Sequence, residues 1–239
     1  MKTFKHSGDI GDLIYALPTI RALGGGKLYL AKSNFTRVPM QAGVLANIKS
    51  FLESQPYVTE AILWQGERVH YNLDLFRDGW DTRDNIAEEH LKTFGIPVSE
   101  SEKPWLENLG MNALASVVIN RTKRHRNDLF PWNKVLNKYV FEDTFVGTKE
   151  EFNDFSLSTE MPVLYNPTET LLDLAQVISG CKLFIGNQSA AYAIAEGLKK
   201  PVIQEVYLPT PNCIFRRPNA QFVTGSEIEL PELSDLVIA

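Results

Sequence analysis

Residues 6–23 read HSGDIGDLIYALPTIRAL, preceded by KTFK at 2–5 and followed by Gly24-Gly25-Gly26. The spacing predicts a strand over 2–6, a loop over 7–11 and a helix over 12–23 that stops at the glycines. Gly8 and Gly11 allow backbone to approach a ligand closely, and the free N–H groups at a helix start favour an anionic group. The stretch has neither the Gly-Lys-Ser/Thr of a Walker loop nor the GxGxxG of a dinucleotide fingerprint. Asp9 and Asp12 stand where an acid caps a helix and complements its dipole, which is also where a carboxylate would face a ligand held by the loop. His6, at the strand end, reads as a structural histidine.

Outward from this unit, strand-like and helix-like runs alternate, the pattern of a parallel sheet covered by helices. Strands are expected at 27–31, 60–64 and 71–76 and helices at 41–52 and 84–94, the last ending at Gly95. Residues 99–110, with Pro104 and Gly110, read as a linker. A second series has strands at 116–120 (SVVIN), 144–147, 182–186 (KLFIG) and 201–207. Its helices are expected at 132–139, 168–179 and 189–198, with Leu171, Leu172, Ala175 and Ile178 on one side of the middle one. The expectation is two Rossmann-like α/β lobes, residues 1–105 and 111–239, facing across a cleft, the first lobe compact. Ligands bind where loops leave the carboxyl ends of such strands, which singles out 7–12 and 187–190.

The chain has 239 residues, 44% of them hydrophobic and 22% charged, with a formal charge of −5, so nothing global points to a polyanion partner. Its two cysteines, Cys181 and Cys213, form no CxxC or Cys/His spacing, so neither a disulfide framework nor a zinc site is suggested and a cytoplasmic location is expected. No signal-peptide core is visible near Lys2 and Lys5, and no apolar run approaches the ~20 residues of a transmembrane segment.

GDIGDLIYALPTIRAL resembles the opening of the heptosyltransferase-like glycosyltransferases, family 9, whose first strand and helix carry Gly-Asp, an apolar stretch and Leu/Thr-Pro-Ala-Leu-Arg. The resemblance implies a GT-B-like fold and places the family's general base at Asp12, with Asp9 a competitor in the same loop. KLFIGNQSAAYAIAEGLKKPVIQEVY, 182–207, is similar to the family's strand, Gly-Asn/Asp-Asp-Ser-Gly-Pro-x-His helix start and Gly-x-Pro strand. There the helix N-terminus faces the donor diphosphate, a role that would fall to Asn187, Gln188, Ser189 and Ala190. Gln188 replaces the family's Asp, Ala190 and Ala191 its Gly-Pro, and Ala193 its His, so the tie to ADP-heptose is loosened and sugar and nucleotide stay open.

SVVINRTKRHRNDLFPW follows, with Arg121, Lys123, Arg124 and Arg126 clustered after the strand. The family's loop offers Thr, Arg and Lys to the donor phosphates, so Thr122 and Arg124 or Arg126 would stabilise the departing nucleotide, beside Gly8 and Gly11. Glu196, Glu205 and Tyr207 are weaker candidates for the nucleoside. No Asp-x-Asp pair follows a strand in a suitable context, so neither metal nor cofactor is expected beyond a nucleotide-sugar co-substrate. The implied activity is transfer of a sugar, with inversion, to the hydroxyl of a saccharide or glycolipid. Two alternatives stay open: a phage-type DNA glycosyltransferase acting on a flipped, hydroxymethylated pyrimidine, and a non-catalytic nucleotide-binding module.

Overall fold

The computed structural model describes residues 1–33, 36, 38–81 and 83–236, so the last three residues of the expected second lobe lie outside the described residues. The first series contains β1 (Lys2–His6), α1 (Ile10–Ala22), β2 (Gly26–Leu30), α2 (Ala42–Glu53), β3 (Val58–Leu63), β4 (Tyr71–Asn72), a 3₁₀ turn at Leu73–Arg77 and α3 (Ile86–Thr93). A 3₁₀ turn at Val98–Ser101 and an extended stretch lead to the second series. That series runs β5 (Val117–Asn120), α4 (Trp132–Lys138), β6 (Asp143–Phe145), α5 (Lys149–Thr159), β7 (Leu164–Tyr165), α6 (Leu171–Gly180), β8 (Leu183–Asn187), α7 (Ala190–Gly197), β9 (Val202–Glu205) and β10 (Ala220–Val223).

The strands form two sheets, ordered β3-β2-β1-β4 and β10-β9-β8-β5-β6-β7, and every pairing is parallel. The order reverses beside β1 in the first sheet and between β5 and β8 in the second, the topological switch points where such sheets leave a crevice. Both motif loops, 7–9 after β1 and 188–189 after β8, leave strands at these points.

Apolar alternation explains the layering. In the second sheet Val118, Phe184 and Val202 face the core shared with the first lobe, while Val117, Ile119, Leu183, Ile185 and Ile203 face a separate core with Phe130, Trp132, Phe145 and Phe155. Helix α1 is buried continuously from Leu13 to Ile20, as expected for a helix packed on several sides. It lies against α3 in its own lobe and α7 in the other, and α2 meets α6. The lobes therefore share one core instead of meeting only across a gap. The connection between β9 and β10 fastens them further: Ile86 N–H donates to Asn212 O at 3.0 Å, Asn85 Nδ2 to Ile214 O at 2.8 Å, and Phe215 stacks on Tyr15 with centroids 5.5 Å apart.

Gly25 ends the first unit with φ +71°, and a Cβ there would sit 2.4 Å from Tyr57 O, so only glycine passes. The strand expected at 71–76 shortens to two residues because Asn72 accepts from Asp74 N–H at 3.3 Å and turns the chain into the 3₁₀ turn. Helix α5 and strands β7 and β10 were not expected. The capping box of α5, Thr148 with Glu151, was its one sequence sign.

Candidate functional site

The loop after β1 is held by polar contacts from the 3₁₀ turn Leu73–Arg77. Ser7 N–H donates to Asp74 Oδ1 at 2.9 Å, and the same carboxylate takes Lys5 Nζ at 2.9 Å and Arg77 Nη1 at 2.7 Å. Burial works against ionisation of Asp74, but the hydrogen bonds from Lys5 and Ser7 help to outweigh it and bring the carboxyl down to about 2. Gly8 N–H donates to His6 Nδ1 at 3.0 Å, which leaves the ring proton on Nε2. Burial, opposed by Asp74, pushes His6 down to about 3, so the imidazole is neutral and structural. Its ring lies 5.7 Å from His90, which packs 3.9 Å from Phe76.

Asp12 is the third residue of α1, and its side chain keeps 36% of its surface open while the cleft walls crowd the rest. That crowding raises it from 3.8 to about 6 against the pull of Arg77, with Asp9 adding to the rise and Arg124 from the other lobe opposing it. Arg77 Nη2 approaches Asp12 Oδ2 at 3.5 Å, passing over Gly8. A Cβ on Gly8 would meet Arg77 Nη2 at 2.6 Å and Asp12 Cβ at 2.9 Å, so the loop needs glycine for close approach.

Across the cleft, Ser189 caps α7 by accepting from Tyr192 N–H at 3.1 Å, leaving the N–H groups of Ala190 and Ala191 without acceptors within the helix. Asn187, fully buried at the end of β8, accepts from Thr122 N–H at 2.9 Å and donates to Thr122 O at 3.1 Å and Arg124 O at 2.5 Å. It holds the 122–125 loop without itself lining the cleft. Gln188 Nε2 donates to Thr210 O at 2.8 Å and Asn212 Oδ1 at 2.7 Å, tying the α7 entry to the connection between β9 and β10.

The two loops meet in one cleft of about 270 Å³. Gly8, Asp9, Gly11 and Asp12 line one side and Thr122, Arg124, Gln188, Ser189 and Ala190 the other; Val38, Met40, Val44 and Ile86 form an apolar flank. The Cβ position of Gly11 lies 3.8 Å from Ala190 N, so the starts of α1 and α7 converge. Two helix N-termini and the cation of Arg124 give this cleft the electrostatics of an anion site, with a carboxylate of raised pKa at its edge.

Several sequence candidates fall elsewhere. Glu205 is fully buried, taking Arg121 Nε and Nη2 at 2.9 Å each, Asn127 N–H at 2.7 Å and Trp132 Nε1 at 3.1 Å. Glu196 is equally buried beneath Lys199 and Arg217. With all their carboxylate capacity taken up inside the fold, neither reaches a nucleoside in this arrangement, which corrects that expectation. Arg126 pairs with Asp154 and donates to Thr122 O at 2.9 Å, outside the cleft lining. Tyr207 stands beside the cleft, its ring tilted against that of His125 with centroids 5.3 Å apart. Sequence reasoning missed Arg77, His125 and Asn212. Arg77 and Asn212 reach the site only through tertiary contacts, whereas His125 lay inside the quoted basic run. Among the described residues no group of three or more His, Cys, Asp or Glu gathers as a metal site, and no helix is long and apolar enough to cross a membrane.

No protein-family model and no curated protein matches the sequence. Solved structures do match the fold. A family 9 glycosyl transferase from Veillonella parvula superposes with a TM-score of 0.58 at 12% identity, over 92% of this chain and 84% of its own. The E. coli ADP-heptose lipopolysaccharide heptosyltransferase II gives 0.58 at 14% identity over 95% and 92%. E. coli heptosyltransferase WaaC, solved with ADP, gives 0.59 at 11% identity over 93% and 92%. The chain has the α/β fold of these GT-B-like enzymes, the same family that its two motif stretches resemble.

Proposed function

We propose that the protein is a glycosyltransferase that moves a sugar from a nucleotide-diphosphate sugar to an acceptor hydroxyl. The observation carrying this reading is the convergence of the starts of α1 and α7 on one cleft, with Asp12 on one wall and Arg124 on the other. The fold shared with ADP-heptose enzymes supports the same class of donor.

In this reading the donor diphosphate lies at the start of α7, where the N–H groups of Ala190 and Ala191, Thr122 and Arg124 take up its charge. Asp12 removes the proton of the acceptor hydroxyl. The acceptor oxygen bonds to the anomeric carbon as the bond from that carbon to the diphosphate oxygen breaks, its electron pair leaving with the nucleotide. Attack from the first-lobe side, opposite the leaving group, inverts the anomeric centre. Asp12 is favoured over Asp9 because crowding has brought it to about 6, suited to proton transfer near neutral pH. The acceptor is a saccharide or glycolipid, and the two unpaired, buried cysteines fit a reducing cytoplasm.

The test is nucleotide release across UDP-, GDP-, ADP-, CMP- and dTDP-sugars, with saccharide acceptors and with hydroxymethylated DNA. Wild type should release one nucleotide, and Asp12→Asn should lower the rate by ~10² or more. Release dependent on hydroxymethylated DNA would replace the saccharide acceptor, and tight nucleotide binding without release would replace catalysis with a binding role.

A further inference from the structure

Resting on the transferase reading for its purpose but not for its test, we infer that Arg77 is the positioning residue of Asp12. It aims the carboxylate across Gly8 into the cleft and holds it in the ionised form that can accept a proton.

The geometry is specific. Arg77 is the last residue of the 3₁₀ turn Leu73–Arg77, and its guanidinium is fixed on three sides. Nη1 donates to Asp74 Oδ1 at 2.7 Å, the plane lies 4.4 Å over the Phe76 ring, and Nη2 extends to Asp12 Oδ2 at 3.5 Å. Asp74 is itself anchored by Lys5 Nζ and Ser7 N–H, so the arginine is built on the same support as the loop that begins α1. The absence of a side chain at Gly8 is what lets the guanidinium through. An arginine spread between two carboxylates at unequal distances is committed to Asp74 and only leans on Asp12. It therefore orients Asp12 without neutralising it by a tight two-point pair.

Among the described residues, the charged and titratable groups that act on Asp12 are Arg77 from the 3₁₀ turn, Asp9 from its own loop and Arg124 from the second lobe. The nearby Cys213 thiol is pushed up to about 12 by burial and stays uncharged. Burial and Asp9 favour the protonated acid, while Arg77 is the foremost group favouring the carboxylate. Removing Arg77 leaves Arg124 as the other cation on that side among the described residues.

The experiment follows the Asp12 carboxyl carbon by NMR titration in protein labelled with ¹³C-aspartate, the resonance being assigned by its absence in Asp12→Asn. In Arg77→Met the Asp12 midpoint should rise by about one unit or more, and Arg77→Lys should restore part of the difference. Asp74→Asn supplies a second handle of opposite sign. With Arg77 released from Asp74 and free to pair more closely with Asp12, the Asp12 midpoint should fall. An unchanged midpoint in folded Arg77→Met, or a rise in Asp74→Asn, would overturn the assignment. Because the titration needs no donor, its failure and the failure of the transferase reading are separate results. Where turnover is measured, the acid limb of kcat should move with the midpoint while KM for the donor stays within about twofold, a split that general loosening of the loop would not give.

Discussion

Glu205 at the end of β9 and Arg121 just beyond β5 form a two-point ion pair, both contacts at 2.9 Å, inside the second lobe. The pair spans the sheet from its second strand to its switch point and carries the base of the 122–127 loop, since Asn127 N–H also donates to Glu205. Removing one partner strands the other charge in a buried setting. Glu205→Ala should cost about 3–5 kcal/mol of unfolding free energy in urea or guanidinium titrations, far more than loss of an exposed pair such as Lys103–Glu100. A loss below about 1 kcal/mol would show that the pair is not held as described.

Gly8→Ala separates function from folding. The new methyl would lie 2.5 Å from His6 Cε1 and 2.6 Å from Arg77 Nη2, so both the buried imidazole and the arginine must shift to admit it. Stability should fall by only ~1–3 kcal/mol. Displacement of Asp12 and Arg77 should lower transfer by ~10². Wild-type rates in a folded variant would mean that the loop does not set the geometry of Asp12.

Asn187→Ala should act on ligand binding more than on stability. Its carboxamide is the brace for the Thr122 amide and the carbonyls of Thr122 and Arg124, so without it the loop carrying Thr122 and Arg124 loses its fixed shape. A loss of about 1.4 kcal/mol, tenfold in Kd for a nucleoside diphosphate by calorimetry, is expected. Unchanged affinity would remove that loop from the binding site.

The pH dependence of stability follows from groups of opposite sign. His6, pushed down to about 3, and His90, pushed well below its ordinary 6.5, are both buried neutral. The unfolded chain therefore binds protons that the folded one refuses, and stability declines as pH falls below about 6.5. Asp12 and Asp143, each raised by burial to about 6, do the reverse between about 6 and 3.8, because the folded chain binds protons first. The two effects oppose each other over that window. Below about 3.8 Asp74, held at about 2, joins the histidines and stability should drop steeply. Urea midpoints should be nearly level from about pH 4 to 6 and fall below it. His90→Phe should tilt the level stretch so that stability decreases as pH rises from 4 to 6, and an untilted profile would refute the balance.

Much of this is legible in the sequence. Continuous apolar runs such as VVI at 117–119 and LFI at 183–185 read as buried strands of a covered parallel sheet, and they are the strands on either side of its switch point. Gly8, Gly11 and Asp12, with Ser189 opening the later helix, marked both sides of the cleft through local chemistry. The polar helix α5 and the two-residue β7 were hidden because burial of a few side chains, Phe155 among them, decides them more than periodicity does.

The sequence by itself determined the alternation of strands and helices, the glycine-rich loop with its following acid, and the serine cap of α7. All of these depend on neighbours within a turn or two of chain. Only the tertiary structure decided which charges serve the cleft and which serve the core. Glu205 meets Arg121 across 84 positions, Glu196 meets Arg217 across 21, and Arg77 reaches Asp12 from a different element. A charged residue has the same appearance in sequence whether its partner is a ligand or another side chain, and burial with a chosen partner is a property of the folded packing alone.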